Sequence, residues 1–177
     1  MRILFALLAL LAATACGLSP MYAGGGSSAV AQGLAAVDIP PIPGRGGWLV
    51  KNALEERLGA AGQATPVYRL DVRLDDRLDA LGVLGDDTVT RQRRILRARY
   101  QLIDLADGTI VLDATAGSDA GIDVVSSEYA TIAAEQTALE NLAREVADRM
   151  ATRIALTLRE RGREQGRERT KAADAAP

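Results

Sequence analysis

The sequence predicts an α+β fold, a two-layer sandwich in which two helices pack on one face of a four-stranded sheet in the order β-α-β-β-β-α. Three observations predict it. Residues 48–58 and 127–158 place apolar side chains at steps of three and four, the period of a helix buried along one side. Between them, residues 68–75, 88–104 and 110–116 alternate apolar with polar, the period of strands that bury one face and wet the other. One apolar face per element is satisfied by laying a helical layer on a single sheet.

The chain opens with Arg2, an apolar run over 3–13, and the small residues Thr14 and Ala15. This is the pattern of a secretory signal peptide over 1–15, and about 11 apolar residues fall short of the roughly 20 that span a bilayer as a helix. Cys16, the single cysteine, follows directly. A cysteine after small residues at the end of such a run resembles the lipobox of bacterial lipoproteins, although Ala13 stands where a Leu is usual. The resemblance implies acylation of Cys16, which becomes the mature N-terminus; the plainer reading is ordinary secretion with a free thiol, which suits an oxidising compartment poorly. Two or more acyl chains hold a protein stably on a membrane. Gly17, where Asp would resemble an inner-membrane retention signal, favours the outer membrane.

Residues 16–33 are rich in Gly, Ser and Ala, which predicts a flexible linker behind the lipid site. The first strand is expected at 34–39, ended by Pro40, Pro41 and Pro43. In the first helix Val50, Ala53, Leu54, Leu58 and Ala61 share a face, and Gly59 and Gly62 stop it. In the second strand Tyr68, Leu70, Val72 and Leu74 point one way, and Gly82 and Gly85 mark a loop. The third strand, 88–104, sets Leu96, Ala98, Tyr100 and Leu102 inward and Arg91, Arg93, Ile95, Arg97, Arg99 and Gln101 outward. Asp107-Gly108 signals a hairpin turn into Ile110, Leu112, Ala114 and Ala116. Residues 117–123 are expected as a polar loop. The final helix carries Ile132, Leu139, Leu142, Val146, Met150, Ile154 and Leu158 on one stripe. The domain therefore spans 34–160, with a disordered tail over 161–177.

Histidine is absent, which removes the usual general base, the usual zinc ligand and every Ser-His or Cys-His pair. Asp75-Asp76 and Asp86-Asp87 have the form of paired carboxylates for acid–base work or a calcium site, but neighbours on a strand point to opposite faces, and beside Gly82 and Gly85 such pairs form turns. Gly24–Gly26 and Ser27–Ser28 follow no strand, so they form a spacer and no phosphate loop. With 21 Lys+Arg against 23 Asp+Glu, net charge supplies no basic face for nucleic acid. The expectation is a protein with no catalytic residues, metal or cofactor.

The outward arginines of the third strand have two readings. Either Arg91, Arg93, Arg97 and Arg99 meet anionic groups, for which a planar guanidinium is suited, or they are solvated and pair across to Asp71 and Asp75. Two aspartates do not neutralise six arginines, counting Arg69 and Arg73, so an excess of positive charge is expected.

Cys16-Gly17-Leu18-Ser19-Pro20-Met21-Tyr22 is similar to the Cys-Gly-Phe-x-Pro-Leu-Tyr start of the lipopolysaccharide-assembly lipoproteins of the LptE family, in their alphaproteobacterial form. Lys51-Asn52-Ala53-Leu54 resembles the first helix of that family. Ser127-Glu128-Tyr129-Ala130, Ala134-Glu135 and Leu142-Ala143 through Val146-Ala147-Asp148 and Met150 resemble its last. The resemblance implies an outer-membrane lipoprotein seated as a plug within an LptD-type β-barrel, aiding barrel biogenesis and the delivery of lipopolysaccharide to the cell surface. It also implies that the arginine strand meets lipopolysaccharide phosphates or acidic residues lining the barrel. The alternative is an auxiliary binding subunit of an envelope lipid transporter with no barrel partner.

Overall fold

The computed structural model describes residues 29–59, 64–83, 89–125 and 127–174. The expected signal peptide over 1–15, Cys16, the Gly-Ser spacer and Asp86-Asp87 lie outside the described residues. In chain order the elements are α1 (Ala29–Ala35), β1 (Val37–Asp38), α2 (Gly44–Leu58), β2 (Tyr68–Val83), β3 (Val89–Asp104), β4 (Ile110–Asp123) and α3 (Glu128–Asp174). The sheet has the order β1-β2-β3-β4, with β1 parallel to β2 and the rest antiparallel. The α+β sandwich expected from the sequence is the fold observed.

Register follows the apolar alternation. Leu70 faces Leu102, Leu74 faces Ala98, Ala98 faces Ala116 and Leu102 faces Leu112 across the ladders, so the even-numbered residues of the three long strands share the inner face. Against them pack Val50, Ala53, Leu54 and Leu58 of α2 and Leu139, Leu142, Val146, Met150, Ile154 and Leu158 of α3. Each such side chain, fully buried, contributes about 1.5–3 kcal/mol. Tyr100 lies in the same core, where burial pushes its phenol above the ordinary value.

Five expectations are corrected. Residues 34–39 are not one strand: α1 runs through Ala35, and only Val37–Asp38 pair, with Tyr68 and Arg69. Leu34 is buried beside Val37, so the apolar run serves a helix and a two-residue strand in turn. The linker accordingly gives way to helix at Ala29. Residues 117–123 are strand, because Ala120 and Ile122 keep the inward alternation that Gly117 and Gly121 obscure. Likewise β2 continues past Gly82 to Val83. Beyond Arg161 the chain remains helical to Asp174, although no apolar stripe holds it.

Helix ends and turns have local causes. α2 begins at Gly44, behind Pro43, four residues before Trp48. Ser127 caps α3, its hydroxyl accepting from the Ala130 amide at 3.4 Å. At the β3–β4 hairpin, Gly108 takes the left-handed backbone, φ 73°, that the turn requires. Its amide donates to Asp104 O at 2.9 Å. The Asp107 carboxylate accepts from Thr109 N (2.9 Å) and Thr109 Oγ1 (2.7 Å), which holds its carboxyl below the usual range.

Gly47 is buried where α2 starts, and a Cβ there would lie 2.4 Å from the Ile42 carbonyl oxygen. The obstacle is the Ile42 backbone, which cannot yield as a flexible side chain would. Gly47→Ala is expected to lower stability by about 1–3 kcal/mol in urea unfolding. Gly46→Ala, whose Cβ meets Leu139 Cδ1 at an ordinary 3.5 Å, should show a far smaller loss.

Arg57 of α2 clasps Asp148 of α3, with Nη2 at 3.1 Å from Oδ2 and a second contact through Nε. These hydrogen bonds hold the Asp148 carboxyl below its ordinary value. A depressed folded value means that the contribution is present above the unfolded carboxylate value of about 3.9 and lost as pH falls through the folded one. Because Asp148 is 60% exposed, the contribution stays below about 1 kcal/mol. The stability difference between the native chain and Asp148→Asn should therefore shrink as unfolding is measured from pH 7 down to about pH 3.

Candidate functional site

The helices cover one face of the sheet, and the other face carries the odd-numbered residues of β2, β3 and β4. Arg91, Arg93, Arg97 and Arg99 all lie on that face and are exposed. Parity also separates Asp75 from Asp76. Asp75 pairs on the outer face with Arg77 at 3.1 Å, whereas Asp76 turns inward to Arg94.

The outer arginines do not pair with Asp71 and Asp75 as the solvated reading expects. Arg91 Nε meets Asp123 at 3.2 Å, Arg93 Nη2 meets Asp119 at 2.9 Å, and Arg99 Nη2 meets Asp113 at 3.2 Å, all on β4. Asp71 is instead taken by Arg69 of its own strand at 2.9 Å. Gln101 donates to Asp113 at 2.8 Å, and with Arg99 it holds that carboxyl below the usual range. The expected excess of positive charge is thereby reduced: Arg69, Arg73, Arg77, Arg91, Arg93, Arg97 and Arg99 share the face with Asp71, Asp75, Asp79, Asp113, Asp119 and Asp123. Asp113 falls within the expected strand, whereas Asp119 and Asp123 are hidden by the loop-like composition of 117–123. Continuing the two-residue period from Leu112 would have placed them.

Arg73 and Arg97 have no ion-pair partner among the described residues, and Arg73 stands directly opposite Arg99, a like-charge pair. Arg97 lies across Gly117, where an added Cβ would come within 3.0 Å of its Cγ. The glycine makes a trough for the side chain, edged by Arg93, Ile95, Thr115 and Asp119. A second shallow depression, by β1, is edged by Pro40, Pro41, Arg69, Arg73 and Arg99. The face thus offers guanidinium groups near its middle that are free for an anion, flanked by exposed pairs each contributing only about 0.2–1 kcal/mol.

On the inner side, Arg94 forms a two-pronged pair with Asp76, at 2.9 and 2.7 Å, and donates to the Glu135 carbonyl at 3.1 Å. That contact fixes the start of α3 against β2 and β3. The hydrogen bonds that Arg94 donates to Asp76 raise the Arg94 value above its ordinary one, against the effect of burial. Among the described residues no cluster of His, Cys, Asp or Glu is arranged to hold a metal ion, and no helix is long and apolar enough to cross a membrane.

The molecule is thus a small α+β sandwich with one sheet face under helices and the other an exposed ladder of arginines and aspartates. The lipopolysaccharide-assembly family model LptE matches residues 34–154, from the end of α1 into α3, and the chain belongs to that family. Membership gives it a role in lipopolysaccharide assembly at the cell envelope. A protein from Caulobacter crescentus CB15 described as a lipoprotein superposes with a TM-score of 0.64 at 25% identity, covering 76% of this chain and 98% of its own. A minor lipoprotein from Acinetobacter baumannii (TM-score 0.53, 16% identity, 68% and 88% covered) shares the fold. So does lipoprotein B from Nitrosomonas europaea (0.52, 12%, 67% and 79%). No curated protein matches the chain in sequence.

Since exposed pairs contribute little beside the core, changing Arg91, Arg93, Arg97 and Arg99 together to Ser should leave a cooperatively folded domain. The expected loss is no more than about 1 kcal/mol for each pair broken. Far-ultraviolet circular dichroism with urea titration checks this.

Proposed function

We propose that this chain is a lipid-anchored, non-catalytic plug for an LptD-type outer-membrane β-barrel, where it aids barrel biogenesis and the passage of lipopolysaccharide to the cell surface. The observation that carries this reading is the family match over 34–154, which takes in the sheet, α2 and α3 as far as Ile154. Cys16 is its acylation site, behind the signal peptide at 1–15, and the outer membrane its location. The exposed sheet face is the partner surface. Arg91, Arg93 and Arg99 exchange weak pairs with β4 aspartates for anions of the partner, and Arg97 offers one without losing a pair. Guanidinium forks match both available anions, lipopolysaccharide phosphates and acidic side chains of a barrel wall.

Mild-detergent pull-down from the native membrane should recover a large outer-membrane β-barrel in stable complex. Recovery of an envelope lipid transporter instead would favour the auxiliary-subunit alternative. The same pull-down with the four arginines changed to Ser should lose barrel or lipopolysaccharide while the domain stays folded; unchanged recovery of both removes the sheet face from the mechanism. Mass measurement of the mature N-terminus should show an acylated Cys16.

A further inference from the structure

Among the described residues, the core contacts of α3 end at Leu158. Arg161, 3.7 Å from Asp104 at the β3–β4 hairpin, is its last contact with the sheet. From Gly162 to Ala173 every residue whose side chain is described is exposed. At 1.5 Å per residue the helix then projects roughly 20 Å beyond the sandwich. Helices that are polar all round gain nothing from packing and are marginal alone.

Its charge is not evenly spread. Between Arg161 and Lys171 five basic residues stand against two acidic ones, in a chain whose net charge is −2. Arg163, Arg167 and Lys171 recur at steps of four, so they line one stripe, with Gly166 and Thr170 forming a shallow groove among them. None of the three has an ion-pair partner among the described residues. Glu164 and Glu168 sit about 100° further round the helix, off that stripe.

The place of this arm matters as much as its charge. Gly33 of α1 lies against Leu158, 3.6 Å from its Cδ1, just before α3 leaves the sheet. Since α1 has only seven residues, about 10 Å of helix, the chain enters the domain close to where the arm departs. The arm and α1, whose first residue is 13 positions after Cys16 in the chain, therefore share one end of the described domain.

We propose that the Arg163-Arg167-Lys171 stripe docks on the anionic phospholipid headgroups of the leaflet that holds the acyl anchor, fixing how the sandwich stands on the membrane. This rests on acylation of Cys16 as read above.

The test uses the acylated full chain with Ala172→Cys, whose thiol is the one left for labelling once Cys16 carries lipid. The chain is placed on vesicles of phosphatidylcholine alone or of equimolar phosphatidylglycerol and phosphatidylcholine, each with a headgroup-bound quencher. Each basic residue near an anionic surface contributes about fivefold, so the anionic vesicles should raise the surface-bound fraction of the arm roughly tenfold or more. High salt should cancel the gain, and so should Arg163, Arg167 and Lys171 changed together to Ser. Quenching that is equal on both vesicles, or that survives the triple change, overturns the proposal, including the case where an acidic protein is the true partner. Flotation separates the two readings. A chain that floats with phosphatidylcholine but shows no charge-dependent quenching overturns only the arm. One that fails to float there overturns the anchor, and the arm then stands or falls on salt-sensitive flotation with the anionic vesicles.

Discussion

Everything in this molecule depends on the burial of one face of β3. Leu96, Ala98, Tyr100 and Leu102 are almost wholly excluded from water, with β2 and β4 on either side and α3 above. A strand has two faces, and only one of these is covered. The helical layer is thus fixed to one side, where α3 supplies a matching stripe from Leu139 to Leu158. Burial of each large side chain of that stripe outweighs any single surface ion pair severalfold, so the charged face adds little to stability.

The uncovered face then has to remain soluble without closing on itself. A bare antiparallel sheet of this width would invite other strands, and charged side chains counter that. Here the two signs lie in neighbouring strands, with arginine on β3 and aspartate on β4, so that the face is nearly neutral while each group stays exposed. Pairs of this kind hold geometry loosely and exchange partners readily. Arg97, in its Gly117 trough, and Arg73, opposite Arg99, break the balance near the middle of the sheet.

Much of the sandwich was legible in the residues because the inner face is periodic. The Asp107-Gly108 turn, the inward parity of β3, the outward arginines and the helical stripe to Leu158 all depend on local chemistry. The errors arose where local chemistry pointed elsewhere. Gly117, Ser118, Asp119 and Gly121 look like loop formers, yet the β3 ladder keeps them extended through Asp123. The run 34–39 is too short for its period to distinguish helix from strand, and contact with α3 and β2 decides it. Beyond Arg161 the composition suits disorder, but the helix continues because a preceding run of packed turns removes the cost of nucleation.

The sequence on its own foretold the two-layer architecture, the inward residues and the placing of four arginines on one face. It could do so because each depends on spacing along the chain. Only the tertiary structure decided which aspartates those arginines meet, that Arg97 and Arg73 stand without a partner among the described residues, and that α1 and the basic arm share one end of the domain. These depend on residues far apart in the chain, and no local period records which of them the ladders and helix contacts bring together.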